Sequence, residues 1–60
     1  MVRAMKSVEL RNAFKEICDT VVDDGEVVII TRPRSENVVL ISEKAYNAMV
    51  AAARKKKRNG

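Results

Sequence analysis

The chain has 60 residues, 47% of them hydrophobic and 33% charged, with a formal net charge of +4 at pH 7. A domain this short rarely draws more than about 3–5 kcal/mol from one core, so such chains rely on disulfides, a metal or a partner chain. One cysteine and no histidine exclude an internal disulfide, the usual zinc site and the base of a catalytic triad, and two glycines are too few for a phosphate-binding cofactor loop. No enzyme and no cofactor are therefore expected, and oligomerisation is left as the source of stability.

The first predicted elements are a short strand over residues 1–5 and an amphipathic helix after it. Ser7 offers a hydroxyl for the N-cap of that helix, and apolar residues follow at helical spacing. Asn12 interrupts the pattern and is a poor residue for a helix interior. Two interpretations therefore stay open: one continuous helix, or a short turn over 8–11 followed by a longer helix from 13 to about 23.

Two runs rich in β-branched residues follow, at 26–32 and 37–41, after Gly25, which suits the left-handed residue that closes a helix. Residues 33–36 between the runs predict an antiparallel hairpin with a four-residue connection. Each run holds four consecutive apolar residues, which predicts a sheet covered on both faces. The first helix can cover one face, so the other needs the last helix, a second protomer or both.

Ser42 is predicted to cap a last helix, in which apolar residues recur at three- to four-residue spacing up to Ala53. The resulting order, β-α(α)-β-β-α, predicts a small α+β domain. We expect residues 1–53 to form this domain and residues 54–60 to form a basic carboxyl-terminal tail.

Charge is segregated along the chain. The five consecutive basic residues at 54–58 carry more positive charge than the net +4 of the whole chain, so the rest of the chain is close to neutral. Within it, residues 1–15 are positive and residues 16–26 are negative, so a polyanion would be attracted by the first segment only. Two interpretations of the basic run at 54–58 stay open. It is either a solvated helix end, or it binds nucleic acid without sequence specificity. No apolar run has the length of a membrane span, and the single cysteine suits the reducing cytoplasm.

Three segments, at 6–12, 26–32 and 37–47, closely resemble the Phd/YefM family of antitoxins, and the resemblance covers residues 2 to about 50. The last segment is most similar to the YefM branch. Members are small dimers that bind their own operator and neutralise a toxin through a carboxyl-terminal segment. The resemblance therefore implies a type II antitoxin and autorepressor with three partners: operator DNA, a second copy, and a RelE/YoeB-type ribonuclease rather than a Fic-type toxin.

The resemblance places DNA contacts at Arg11 and Asn12 at the helix junction and at Arg32 at the strand end. Charge and position add Arg3, Lys6 and Arg34 to this set. Arginine can donate two hydrogen bonds to a guanine edge or a phosphate pair, whereas lysine suits a single phosphate. The structural alternative for Arg11 is an ion pair with Glu9 or a contact with a neighbouring turn, and for Arg32 it is a solvated strand end.

The predicted core and dimer residues are the large apolar side chains of the helices and strands: Leu10, Phe14, Ile17, Val28, Ile29, Ile30, Val39, Leu40 and Tyr46. Three other functions remain open at this stage. They are a small repressor without a toxin partner, a ribbon-helix-helix repressor that has no use for the hairpin, and a purely structural dimerisation module.

Overall fold

The computed structural model describes the backbone of residues 1–58 and the side chains of residues 1–55. The elements follow in the order β1 (Val2–Lys6), α1 (Ser7–Asn12), α2 (Phe14–Asp24), β2 (Val27–Arg32), β3 (Ser35–Leu40) and α3 (Glu43–Arg58). This confirms the predicted α+β order. The hairpin formed by β2 and β3 shows that the ribbon-helix-helix interpretation is wrong.

The first helical region is broken in two, as one of the two interpretations predicted. α1 ends at Asn12, and Ala13 leaves helical geometry with φ −134° and ψ 39°. The amide of Ala13 is shared between the carbonyl oxygens of Glu9 and Leu10, both at 3.2 Å, and α2 then restarts from the Ala13 carbonyl. Because the chain turns at this junction, α1 and α2 can point in different directions.

The start of α1 differs from the prediction that Ser7 is its N-cap. The N-cap is Lys6, and the Glu9 carboxylate accepts a hydrogen bond from the Lys6 amide at 2.9 Å. A carboxylate in the first turn satisfies a free amide and also interacts favourably with the helix dipole. Ser7 is therefore the first helical residue rather than the cap. By contrast, the predicted Ser42 cap is confirmed, since its hydroxyl accepts from the Ala45 amide at 3.1 Å.

The three strands form one sheet in the order β1-β2-β3, with β1 parallel to β2 and β2 antiparallel to β3. Gly25 closes α2 in the predicted left-handed conformation, with φ 66°, and leads the chain into β2. The α1–α2 region is thus the crossover that makes β1 and β2 parallel. Parallel pairing places the carboxyl ends of both strands at the same edge of the sheet.

The hairpin is tighter than the predicted four-residue connection. Arg32 pairs with Ser35, so Pro33 and Arg34 alone form the turn, and β3 begins two residues earlier than expected. Proline fixes φ near −65° at the first turn position, and Arg34 has φ 57° at the second. Positive φ at the second position is what a type II turn requires, and glycine is the residue that normally supplies it.

Replacing Arg34 with glycine is expected to raise the free energy of unfolding by about 0.5–1 kcal/mol, since glycine removes the Cβ clash of the left-handed conformation. Arg34→Ala is the matched control, because it removes the same charge and keeps the clash. Urea denaturation of both variants at one protein concentration measures the difference. Equal stability of the two variants would contradict a strained turn.

The core of the chain is small and lies between α2 and one face of the sheet. Among residues 1–55 four apolar side chains are buried, with Ile17 and Val21 from α2 packing on Val28 and Ile30 from β2. Met5, Leu10, Ala13 and Leu40 are partly buried against them. Of the predicted core and dimer residues, five lie in or against this cluster: Ile17, Val28, Ile30, Leu10 and Leu40.

The other face of the sheet is open in the single chain. Ala4, Ile29 and Val39 are paired across the three strands, so their side chains form one row on this face. We call this surface the open face. Val39 is 60% exposed, and Ile29 is only half-buried.

α3 does not cover this face within the chain. It extends from the sheet with few contacts, and Tyr46 and Met49 are 55% and 60% exposed. Phe14, at the start of α2, is also 57% exposed, so Phe14, Val39 and Tyr46 lie outside the core of the single chain. Along the described residues, no helix is long and apolar enough to cross a membrane.

Candidate nucleic-acid interface

A cleft of about 520 Å³ lies at the edge of the sheet where β1 and β2 end. Lys6 is the last residue of β1 and pairs with Thr31, and Arg32 is the last residue of β2. α1 leaves β1 at this point, and the turn that begins at Pro33 leaves β2 beside it. The cleft is lined by residues of these four elements: Lys6, Ser7, Val8, Arg11, Thr31, Arg32 and Pro33.

Three of the predicted DNA contacts meet in this cleft, although they are distant in sequence. Lys6, Arg11 and Arg32 contribute three positive charges, and all three are exposed. Parallel pairing of β1 with β2 brings Lys6 next to the end of β2, and α1 turns back so that Arg11 faces the same space. The fold therefore converts dispersed cations into one positive surface.

These cations are not neutralised by neighbours in the described part of the chain. The ion pairs found among residues 1–55 are Arg3–Glu26 at 2.9 Å and Lys15–Asp19 at 2.8 Å. Glu9, the proposed partner of Arg11, instead caps α1 through the Lys6 amide. The alternative in which Arg11 pairs with Glu9 is therefore wrong, and the guanidinium is left available to a ligand.

The remaining predicted contacts lie outside the cleft. Arg3 is directed to Glu26 at the other end of the sheet, with its side chain 46% exposed. Asn12 is exposed at the last position of α1 but does not line the cleft, and Arg34 is exposed at the tip of the turn beside it. The structure thus brings together Lys6, Arg11 and Arg32 and separates Arg3 from them.

Four lining residues have no counterpart among the predicted DNA contacts. The sequence predicts other roles for them: Ser7 caps a helix, Val8 belongs to the helical apolar pattern, Pro33 lies in the turn and Thr31 in the strand. The Thr31 hydroxyl donates a hydrogen bond to the Met5 carbonyl oxygen at 3.3 Å, which links β2 to β1 next to the cleft. The sequence indicates that these residues belong to the site only through their position, since each lies next to a predicted cation or at the start of α1.

A profile described as "Antitoxin Phd_YefM, type II toxin-antitoxin system" matches residues 5–59, which is most of the chain. The chain belongs to the Phd/YefM antitoxin family. The family assignment made from the sequence is therefore confirmed, and the cleft is a feature of a Phd/YefM domain.

Two solved structures extend the comparison. A chain in the heterotetrameric YoeB–YefM toxin–antitoxin complex from Staphylococcus aureus superposes with a TM-score of 0.83 and 29% identity over 87% of this Phd/YefM chain. A chain in a heterohexameric YoeB–YefM complex bound to 26-base-pair DNA gives a TM-score of 0.76 and 30% identity over 88%. These similarities confirm the YefM-like fold.

The matched region covers 62% of the chain in the staphylococcal complex and 91% of the chain in the DNA-bound complex. Comparison with curated proteins gave no match. Among the described residues of this Phd/YefM chain, no group of three acidic, cysteine or histidine side chains is placed to hold a metal ion.

Proposed function

We propose that this protein is the antitoxin of a type II toxin–antitoxin system, a dimer that represses its own operon and neutralises a toxin by direct binding. The observation that carries the proposal is the convergence of Lys6, Arg11 and Arg32 on one cleft in a chain of the Phd/YefM family. The family assignment favours a regulator over an enzyme.

DNA binding follows from the charge and shape of the cleft. Three unpaired cations at one edge of the fold attract the phosphate backbone and steer the protein to DNA. The Arg11 and Arg32 guanidinium groups can also donate paired hydrogen bonds to the O6 and N7 atoms of guanine in the major groove. Lys6 is best suited to a phosphate, because its ammonium group acts as a single point of charge. One of the similar complexes is bound to DNA.

Dimerisation follows from the exposed surface of the single chain. Its accessible surface is 5219 Å², whereas a compact monomer of 6.7 kDa is expected to expose about 3,900 Å². The radius of gyration of 13.8 Å also exceeds the roughly 10 Å expected of a compact domain of this length. Since the open face carries apolar side chains, we assign it to the interface between two copies.

The toxin partner is proposed from similarity. Both similar structures are YoeB–YefM complexes, and we therefore expect a YoeB-type ribonuclease as the partner rather than a Fic-type enzyme. The exposed apolar side chains of α3, including Tyr46 and Met49, are available for such a contact. We place the protein in the cytoplasm, because operator DNA and an mRNA-cleaving toxin would both be found there.

Co-expression with the neighbouring small reading frame tests the antitoxin role. We expect a tagged copy of this protein to co-purify with the neighbouring product in fixed stoichiometry and to restore growth to cells that express that product. DNA binding is measured separately, on the duplex immediately upstream of the coding sequence. Operator binding without a protein complex would instead indicate a repressor that has no toxin partner.

We further propose that residues 1–53 supply specific DNA binding and dimerisation and that residues 54–60 act as a basic tail. α3 continues across this boundary to Arg58, and the exposed Arg54 and Lys55 begin the basic run. The side chains of residues 56–58 and all of residues 59–60 lie outside the described part of the chain. The proposal therefore depends on the charge of the tail rather than on its structure.

Deleting residues 54–60 is expected to lower affinity for non-specific DNA and to flatten the dependence of log K on log[salt], since each phosphate contact removed lowers the slope by about 0.9. Binding to unrelated duplexes over a salt series measures this effect. The circular dichroism spectrum of the deleted protein checks that the domain is intact. An unchanged slope would indicate that the basic run is only a solvated helix end.

A further inference from the structure

Two apolar residues line the cationic cleft, and a phosphate-binding role leaves them unexplained. Val8 in the first turn of α1 is 45% exposed, and Pro33 faces it from the hairpin turn. Phosphates gain nothing from an aliphatic side chain, and a β-branched residue is a mediocre choice for a short exposed helix. The cleft therefore has the chemistry of a site that binds a charged backbone and an apolar group together.

We propose that Val8 recognises the C5 methyl group of a thymine in the operator. This inference rests on the proposed DNA-binding function and adds a sequence preference to it. In the major groove the edges of unmodified base pairs carry one apolar group, the thymine methyl, and aliphatic side chains read it by contact. In such a complex the cations of the cleft would contact the phosphates, and the apolar side chains between them would contact the thymine methyl group.

The position of Val8 relative to Arg11 specifies where the thymine lies. The two residues are three apart on α1, so their side chains are neighbours on one helix face, with Cβ atoms about 5–6 Å apart. Arg11 is the residue proposed to bind guanine. Because adjacent base pairs are stacked about 3.4 Å apart, the thymine recognised by Val8 lies within two base pairs of that guanine.

The dimer interface is the other place where an exposed valine could be used. Val8 lies at the edge of the sheet where β1 and β2 end, whereas the open face is formed by the row through Ile29 and Val39. The cleft adjoins that row, because Thr31 is two residues from Ile29 on the same strand face, but Val8 itself belongs to α1 and not to the row. Measuring the dimer dissociation constant of the Val8 variant distinguishes the two roles.

The experiment replaces thymine by deoxyuridine, one position at a time, in the duplex immediately upstream of the coding sequence. Deoxyuridine removes only the methyl group and keeps base pairing intact. Each half-site is expected to contain one thymine whose methyl group contacts Val8. Replacing that thymine in one half-site should weaken binding about fourfold, and replacing it in both half-sites should weaken binding about 15-fold. All other thymine positions should respond little.

The same duplexes are then bound to Val8→Ala, with Val22→Ala as the matched control. Val22 is 67% exposed on α2 and does not line the cleft. Val8→Ala changes both protomers, so it should weaken binding to the thymine duplex about as much as deoxyuridine in both half-sites does, and it should be insensitive to deoxyuridine. Val22→Ala should keep both the affinity and the deoxyuridine response of the unaltered protein.

A wild-type protein that binds the duplex equally well with deoxyuridine at every position would overturn the thymine contact and leave DNA binding intact. The same conclusion would follow if the effects of Val8→Ala and deoxyuridine were additive, or if Val8→Ala changed the dimer dissociation constant. Failure of the wild-type protein to bind the upstream duplex at all would overturn the proposed function together with this inference.

Discussion

Val39→Lys is expected to shift the protein from a folded dimer to separate chains. Val39 ends the row of side chains on the open face and is 60% exposed in the single chain. An ammonium group placed there would be buried without a partner in the dimer, and two-fold symmetry introduces it twice. We expect the dimer dissociation constant to rise more than about 100-fold, as measured by sedimentation equilibrium.

Val38→Lys is the matched control, because Val38 precedes Val39 in the same strand and is itself 45% exposed. Val38 pairs with Ile30 and therefore lies on the face that packs against α2. Its lysine can extend to water at the edge of the core, so this variant should remain dimeric with only a modest loss of stability. Equal dimerisation of the two variants would assign the interface to another surface, such as α3.

The fate of the monomer tests how far the fold depends on its partner. In the described part of the chain the core has four buried residues. Ile29→Lys, in the middle of the row, is therefore expected to abolish the dimer and the folded chain together. Because dimerisation and folding would be linked, the melting temperature of the unaltered protein should rise with protein concentration. A melting temperature independent of concentration would indicate that each chain folds alone.

The order of the elements could be predicted from the sequence because apolar spacing and turn residues are local signals. The hairpin turn could not, because Arg34 adopts a left-handed conformation that its residue type disfavours. The start of α1 was also misplaced, since the cap depends on the Glu9 carboxylate reaching the Lys6 amide. Both errors concern one or two residues at the end of an element.

The candidate site was predictable only in part. Charge and family resemblance selected Lys6, Arg11 and Arg32, but the cleft that unites them exists because β1 pairs with β2 across the α1–α2 crossover. That pairing joins residues 25 positions apart, as in Lys6 with Thr31, and no local pattern encodes it. For the same reason the sequence could not show that Arg3 is directed to Glu26 instead.

Arg11→Ala and Arg32→Ala are each expected to weaken operator binding by about 1–3 kcal/mol, which corresponds to roughly 5- to 150-fold in the dissociation constant. Both side chains are exposed and line the cleft, so their loss should leave the dimer and its melting temperature unchanged. Fluorescence anisotropy with a labelled upstream duplex gives the affinity. Competition with mutated duplexes shows whether discrimination at guanine positions is lost as well.

Two other cations supply matched controls for the loss of charge. Lys15 pairs with Asp19 on α2, and Arg3 pairs with Glu26, so Lys15→Ala and Arg3→Ala each remove one positive charge outside the cleft. If general attraction to DNA accounted for the effect, all four variants would lose affinity equally, and the salt dependence of binding would fall by the same amount in each. If the cleft binds the operator, Arg11→Ala and Arg32→Ala lose far more than the controls. Because both guanidinium groups face one space, the double variant should then lose less than the two single losses combined.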